Sequence, residues 1–310
     1  MTKNLVRVHF LGVGGGIPSI TRASPSIAIY FQGKLLLFDC GEGTQLQLQR
    51  AGLSLQRIRE IFITHLHGDH VLGLPGLIST MTMLNRTKPL NVYGPVGTKE
   101  FTETVLEWTH THLEFQLTVE DVKEGIVSGQ ALYSVECLPA LHGVPSLSFI
   151  LQMADIPGKF DARKAKQLGV PAGPVRKQLF QGQPIETPEG KLIRPEDVLG
   201  AVRKGVRIVF SGDTAPNPRL VKAAKNADLL IHDATFTSAH RENALKYQHS
   251  TAAQAAEIAV QAKVKQLVLI HASPRYAMME EHEKEALAIF LQTSVPKDLE
   301  YIELNPSTIE

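Results

Sequence analysis

The densest chemistry in the chain lies at residues 64–70, THLHGDH, where three imidazoles and one carboxylate fall within six residues. Neutral histidine nitrogen and aspartate oxygen are ready ligands for zinc. A single histidine at a strand end is more often structural, but four potential ligands at this spacing are not easily explained that way. In an extended segment His65 and His67 share one side, whereas Asp69 and His70 lie beyond the turn at Gly68. The spacing therefore predicts a divided metal site: one ion could take His65 and His67, the other Asp69 and His70, with further ligands from elsewhere.

Three other residues occupy similar local contexts. His142 in LPALHG, Asp213 in VFSGD and His271 in VLIHAS each follow an apolar, strand-like run. Each alone is weak, since Asp213 before Thr214 could simply cap a turn; their recurrence beside THLHGDH gives them weight. His110 and His112 in WTHTH have a ligand-like spacing too, but no third ligand follows and the stretch reads as a helix end. The loop LGVGGGIP begins a GxGxxG pattern at Gly12 and Gly14, yet Ile17 occupies the last glycine position and no strand–helix–strand context surrounds it. It reads as a tight turn.

The elements that must position these residues are short apolar runs ending in polar residues: VRVHFLG, KLLLFDCG, IREIFITHLHGDH, RIVFSGD, ADLLIHDAT and KQLVLIHAS. Such runs suit buried strands with functional residues at their ends. Helical patterns alternate with them at 44–51, 97–112, 251–262 and 282–291. Thr251 with Gln254 forms a capping box opening the third. The chain is an α/β protein with sheet layers covered by helices.

The 310 residues are 43% apolar and 20% charged, with a net charge of +1. A uniformly basic nucleic-acid coat is thereby excluded; binding to an RNA would need a local patch. Residues 156–207 supply one, with eleven Lys or Arg against five Asp or Glu and six prolines among many glycines. That composition predicts an insertion of turns and short elements projecting from the core. Two cysteines, Cys40 and Cys137, are too few for a disulfide framework and fit a reducing cytoplasm. Neither a signal peptide nor a membrane-spanning run is expected.

With these residues in place the chain resembles the metallo-β-lactamase fold family, whose five motifs match, in order, Asp39 of FDCGEG, HLHGDH, His142, Asp213 and His271. The resemblance implies a single domain over 1–310, a four-layer αβ/βα sandwich with an inserted flexible arm at 156–207, and two zinc ions per chain. His65, His67 and His142 would hold one ion and Asp69, His70 and His271 the other, with Asp213 bridging. Asp39 would orient a ligand imidazole through its nitrogen not bound to metal.

The closer resemblance is to the ribonuclease Z family, through FLGVGGGIP, LFDCGEGTQLQL, IFITHLHGDHVLGLPGLI, VYGP, FSGDT, IHDATF, YQHST and the Gly-Pro element VPAGP at 170–174. This implies a cytoplasmic, homodimeric endonuclease that removes the 3′ trailer of precursor tRNA. Asp69 would accept a proton from the attacking water, and His249, paired with Asp233, would protonate the leaving oxygen. Asp233 stands where the family usually has Glu. The arm would grip tRNA through Lys164, Lys166, Arg176 and Lys177, since phosphate contacts position an RNA without reading its sequence. Of the family's basic loop, the segment PSITRA at 18–23 keeps only Arg22. Hydrolysis of a small phosphodiester or thioester on the same scaffold is the alternative; a small acyl substrate needs neither QHST nor a basic insertion.

Overall fold

The computed structural model describes residues 5–308. It divides into two compact units, residues 5–152 with Arg207–Leu304, and Met153–Val206 with residues 305–308.

The larger unit contains two seven-stranded sheets. The first runs, edge to edge, Tyr301–Leu304, Val6–Gly12, Ser26–Phe31, Lys34–Phe38, Ile58–Phe62, Leu90–Gly94 and Leu117–Asp121. Its last four strands are parallel. The second runs Thr293–Ser294, Leu267–Ile270, Leu229–Asp233, Arg207–Phe210, Leu147–Met153, Tyr133–Pro139 and Gly125–Gln130, and its first four strands are parallel. Runs such as LLLF and LVLI are apolar at every position because parallel strands are covered on both faces.

Helices Thr44–Arg50, Gly73–Met83 and Thr98–Trp108 cover the first sheet, burying Leu48, Leu77, Ile78 and Leu106 in one cluster with Leu35, Leu37, Ile61 and Val92. Helices Pro218–Ala223, Ala252–Ala262 and Glu280–Leu287 cover the second, where Ala255, Ala256 and Ala259 face Leu230 and Leu269. Between the sheets Phe38 stacks on Phe62, ring centroids 5.0 Å apart, and meets Phe149 and Phe210 edge-on at 6.0 and 5.9 Å. Truncating such a buried ring costs about 3–5 kcal/mol, so this seam is a major contact between the sheets. The order helix, sheet, sheet, helix is the four-layer α/β sandwich expected from the sequence.

All six apolar runs form strands, with the polar residues that follow them at the carboxyl ends. The strands of the antiparallel edges, Gly125–Gln130 and Tyr133–Pro139 among them, lie outside the singled-out runs. The helix expected at 97–112 stops at Trp108, and His110 adopts a left-handed φ of 50°. A residue in that conformation cannot continue a right-handed helix.

The smaller unit has its own apolar cluster, Ala165, Val170, Leu179, Ile185, Ile193 and Val198, with Phe160, Leu168 and Val175 packed on it. Helices Ala162–Gln167, Arg176–Phe180 and Pro195–Val198 and a two-stranded ribbon of Ile185–Glu186 with Leu192–Ile193 surround that cluster. Arg203–Lys204 pairs with Ser307–Thr308.

Candidate metal centre and proton-transfer pair

Parallel strands emerge at one edge of a sheet, and the loops at their carboxyl ends gather side chains from distant sequence. Here Lys34–Phe38 delivers Asp39, Ile58–Phe62 delivers the HLHGDH loop, Arg207–Phe210 delivers Asp213, Leu229–Asp233 ends on Asp233 and Leu267–Ile270 delivers His271. Asp39 and His271 both sit at positive φ, 58° and 65°. That backbone is strained for a non-glycine residue and recurs where a side chain must be aimed.

Two clusters result. Nε2 of His65 and Nδ1 of His67 are 2.9 Å apart, and Nε2 of His142 is 3.4 Å from the same His67 nitrogen. In the second, Nε2 of His271 lies 3.4 Å from Asp69 Oδ2 and 3.2 Å from Nε2 of His70. Asp213 Oδ2 stands between them, 3.7 Å from His65, 3.5 Å from His70 and 3.2 Å from His271. In each set of three, the ligand atoms offered by the three residues lie within 4.8 Å of one another.

These donors fit a metal. Zinc bonds of about 2.0–2.1 Å in a tetrahedron put ligand atoms roughly 3.3 Å apart. The observed spacings cluster around that value, and nitrogen lone pairs aimed at one point are repulsive unless a cation or protons separate them. Asp69 shows the same field: burial alone would push its carboxyl up, yet the hydrogen bond and charge from His271, with His70, hold it well below the usual carboxylate range.

Asp39 does not join either cluster. It is buried; its Oδ1 accepts from the Thr64 backbone N–H at 2.7 Å, while Oδ2 accepts from the Thr64 hydroxyl at 3.0 Å and lies 2.8 Å from His70 Nδ1. With its proton on Nδ1, His70 presents Nε2 to the cluster. Thr64 also reaches His65 Nδ1, at 3.0 Å. Sequence reasoning passed over Thr64, although its place directly before HLHGDH was the available signal. Gly15 matters sterically, because a Cβ there would lie 2.6 Å from the His271 ring.

His249 lies beside both clusters, its ring 4.9 Å from His142 and 5.3 Å from His271. Its Nδ1 is 2.8 Å from Asp233 Oδ2, so the shorter acid in place of Glu still reaches its partner. Asp233 is locked: Oδ1 accepts from the N–H and hydroxyl of Thr235, and Oδ2 from the N–H groups of Thr214 and Ser250. Burial works against a charged His249, but Asp233 outweighs it and lifts the imidazole to about 9. A histidine so held is protonated near neutral pH, as a general acid must be. The expected capping box is present, Thr251 and Gln254 exchanging both hydrogen bonds, and its Thr251, two residues after His249, caps the helix that begins at Ala252. Thr214, Thr235 and Ser250 were not singled out from the sequence, because hydroxyl residues near strand ends are common.

None of the remaining candidates belongs to either cluster. The half-buried Arg22 donates to the Tyr276 carbonyl. Lys164 and Lys166 on one helix and Lys177 on another are exposed. Arg176 is half-buried and engaged within its own unit, donating to the carbonyls of Pro171 and Val170 and lying 5.1 Å over the Phe160 ring.

Comparison with known proteins agrees with this architecture. A family described as beta-lactamase superfamily domain matches residues 173–272, and one described as anti-Pycsar protein Apyc1 matches residues 6–123. The ribonuclease Z of Methanosarcina acetivorans is 42% identical over 302 residues, 97% of this chain and 98% of that protein. That of Bacillus licheniformis is 42% identical, covering 92% of this chain and 94% of that one. The crystal structure of the human short-form tRNase Z superimposes with a TM-score of 0.70 at 28% identity, covering 96% and 98% of the two chains. Near-complete coverage at this identity, on a shared fold, shows that the chain belongs to the ribonuclease Z family.

Proposed function

We propose that the chain is a metal-dependent endoribonuclease that removes the 3′ trailer from precursor tRNA, leaving a 3′ hydroxyl on the tRNA and a 5′ phosphate on the trailer. The observation that carries this reading is the pairing of two three-donor clusters with a buried Asp233 and its half-buried partner His249 at their side. A hydrolase for an activated acyl group does not need a dedicated acid for its leaving group; expulsion of a ribose 3′ oxygen does.

His65, His67 and His142 would hold one zinc, and Asp69, His70 and His271 the other, with Asp213 between them; Asp39 would orient His70. Zinc at such a site lowers the pKa of water to about 7 and neutralises charge building on the phosphate. Asp69 takes a proton from the water that attacks phosphorus. As the bond from phosphorus to the 3′ oxygen breaks, His249 gives that oxygen a proton. Asp233 holds the imidazole by Nδ1, so the proton transferred is the one on Nε2.

The exposed Lys164, Lys166 and Lys177 would meet the tRNA backbone on the arm at 156–207, with Arg176 bracing the turn beneath them and Arg22 nearer the acceptor end. The working form would be a cytoplasmic homodimer in which the arm of one subunit serves the site of the other. Among the described residues no helix is long and apolar enough to cross a membrane.

The test is to incubate zinc-loaded protein with precursor tRNAs bearing and lacking an encoded CCA and to map both product ends. The expected result is a single cut near the discriminator nucleotide, with a 3′ hydroxyl and a 5′ phosphate. Failure to cut, or a 2′,3′-cyclic phosphate on the tRNA, would contradict the proposal.

A further inference from the structure

Beside His249 the larger unit holds a cleft of about 610 Å³, lined by His249 itself together with Pro216, Arg241, Glu242, Asn243 and Leu245. Apart from His249, these residues belong to neither metal cluster nor the Asp233–His249 pair. Arg241 and Glu242 are exposed and Asn243 is half-buried; among the described residues their side chains make no hydrogen bond or ion pair. Leu245 is 78% exposed, a large apolar side chain left in water beside an active centre.

We propose that this cleft receives the nucleoside whose 3′ oxygen departs, which becomes the last nucleoside of the trimmed tRNA. The inference rests on His249 acting as the acid for that oxygen. The scissile phosphate must sit at the His/Asp clusters, and His249 must touch the bridging oxygen. One bond further is the ribose of the departing nucleoside, and His249 both lies beside the clusters and lines the cleft.

The chemistry of the lining suits a nucleoside more than a phosphate. Arg241 and Glu242 offset one another in charge, which leaves the protonated His249, the group that meets the bridging oxygen, as the cation among the residues named. Pro216 and Leu245 offer apolar faces for a base, and the Asn243 amide has both donor and acceptor for a base edge or a 2′ hydroxyl. The volume falls in the range of about 300–1,000 Å³ typical of small-molecule sites.

The test uses zinc-loaded wild-type protein and the double variant Asn243→Ala, Leu245→Ser on three precursors with the cut mapped: intact, abasic at the nucleotide 5′ of the cut, and abasic at the nucleotide 3′ of it. For wild type, kcat/KM should fall roughly tenfold on the first abasic precursor and stay nearly constant on the second. The double variant should lose about tenfold on the intact precursor and show no additional loss on the 5′-abasic one. A 5′-abasic penalty equal in variant and wild type overturns the subsite. Occupancy is read apart from cutting by 2-aminopurine at the same nucleotide, whose fluorescence should change on mixing with wild type and not with the variant. Equal signals from both proteins also overturn it. If wild type cuts no precursor, the endonuclease reading fails, and the fluorescence still decides the cleft.

Discussion

Asp233 is one methylene shorter than the acid the family uses, and the structure nevertheless brings its oxygen to 2.8 Å from His249. Four protein donors fix that carboxylate, so the pair is rigid before any substrate arrives. His249→Ala should keep its full metal content, measured by atomic emission, and lose roughly 10²- to 10⁴-fold in single-turnover cleavage. With sulfur replacing the departing 3′ oxygen the leaving group needs no proton, and most of that deficit should vanish; an undiminished deficit would refute the acid role. Asp39→Asn should weaken zinc binding by roughly 10- to 100-fold in chelator competition, because His70 loses its charged orienting partner. An unchanged affinity would show that Thr64 alone suffices. At this scale the sequence was most informative where ligands crowd together. His65, His67, Asp69 and His70 declared themselves by spacing, whereas His142, Asp213 and His271 needed the recurrence of strand ends, and Thr64 and Thr235 were silent because a hydroxyl has too many ordinary uses.

The elements make that crowding possible. Apolar runs such as KLLLF and LVLI read directly as buried strands, and each ends where a functional residue begins. The antiparallel strands Gly125–Gln130 and Tyr133–Pro139 were harder to read, since their exposed faces break the apolar run. The GGG loop was legible as a turn but not as a wall. Only the structure puts the bare Cα of Gly15 against the His271 ring. Gly15→Ala should push that ring aside, lower zinc affinity at the cluster of Asp69, His70 and His271, and cut turnover by at least about tenfold, since small displacements at reacting centres are costly. Zinc titration of the metal-stripped variant checks this, and wild-type binding at both sites would count against it.

Across the whole molecule charge is distributed unevenly. A net charge of +1 conceals an excess of six positive charges at 156–207, which was visible in the sequence as a count. What the count could not separate is duty: Arg176 is engaged by the carbonyls of Pro171 and Val170, while Lys164, Lys166 and Lys177 remain exposed. The proposed roles in bond breaking and in the grip on tRNA thus fall to separate residues. The most direct measurement compares wild type with Lys164→Ala, Lys166→Ala, Lys177→Ala combined, on precursor tRNA and on a small chromogenic phosphodiester, across a salt series. That division of labour predicts a raised KM for tRNA with kcat retained, a salt dependence shallower by roughly one log unit per log salt for each phosphate interaction removed, and unchanged hydrolysis of the small ester. Equal losses on both substrates, or no loss on tRNA, would contradict it.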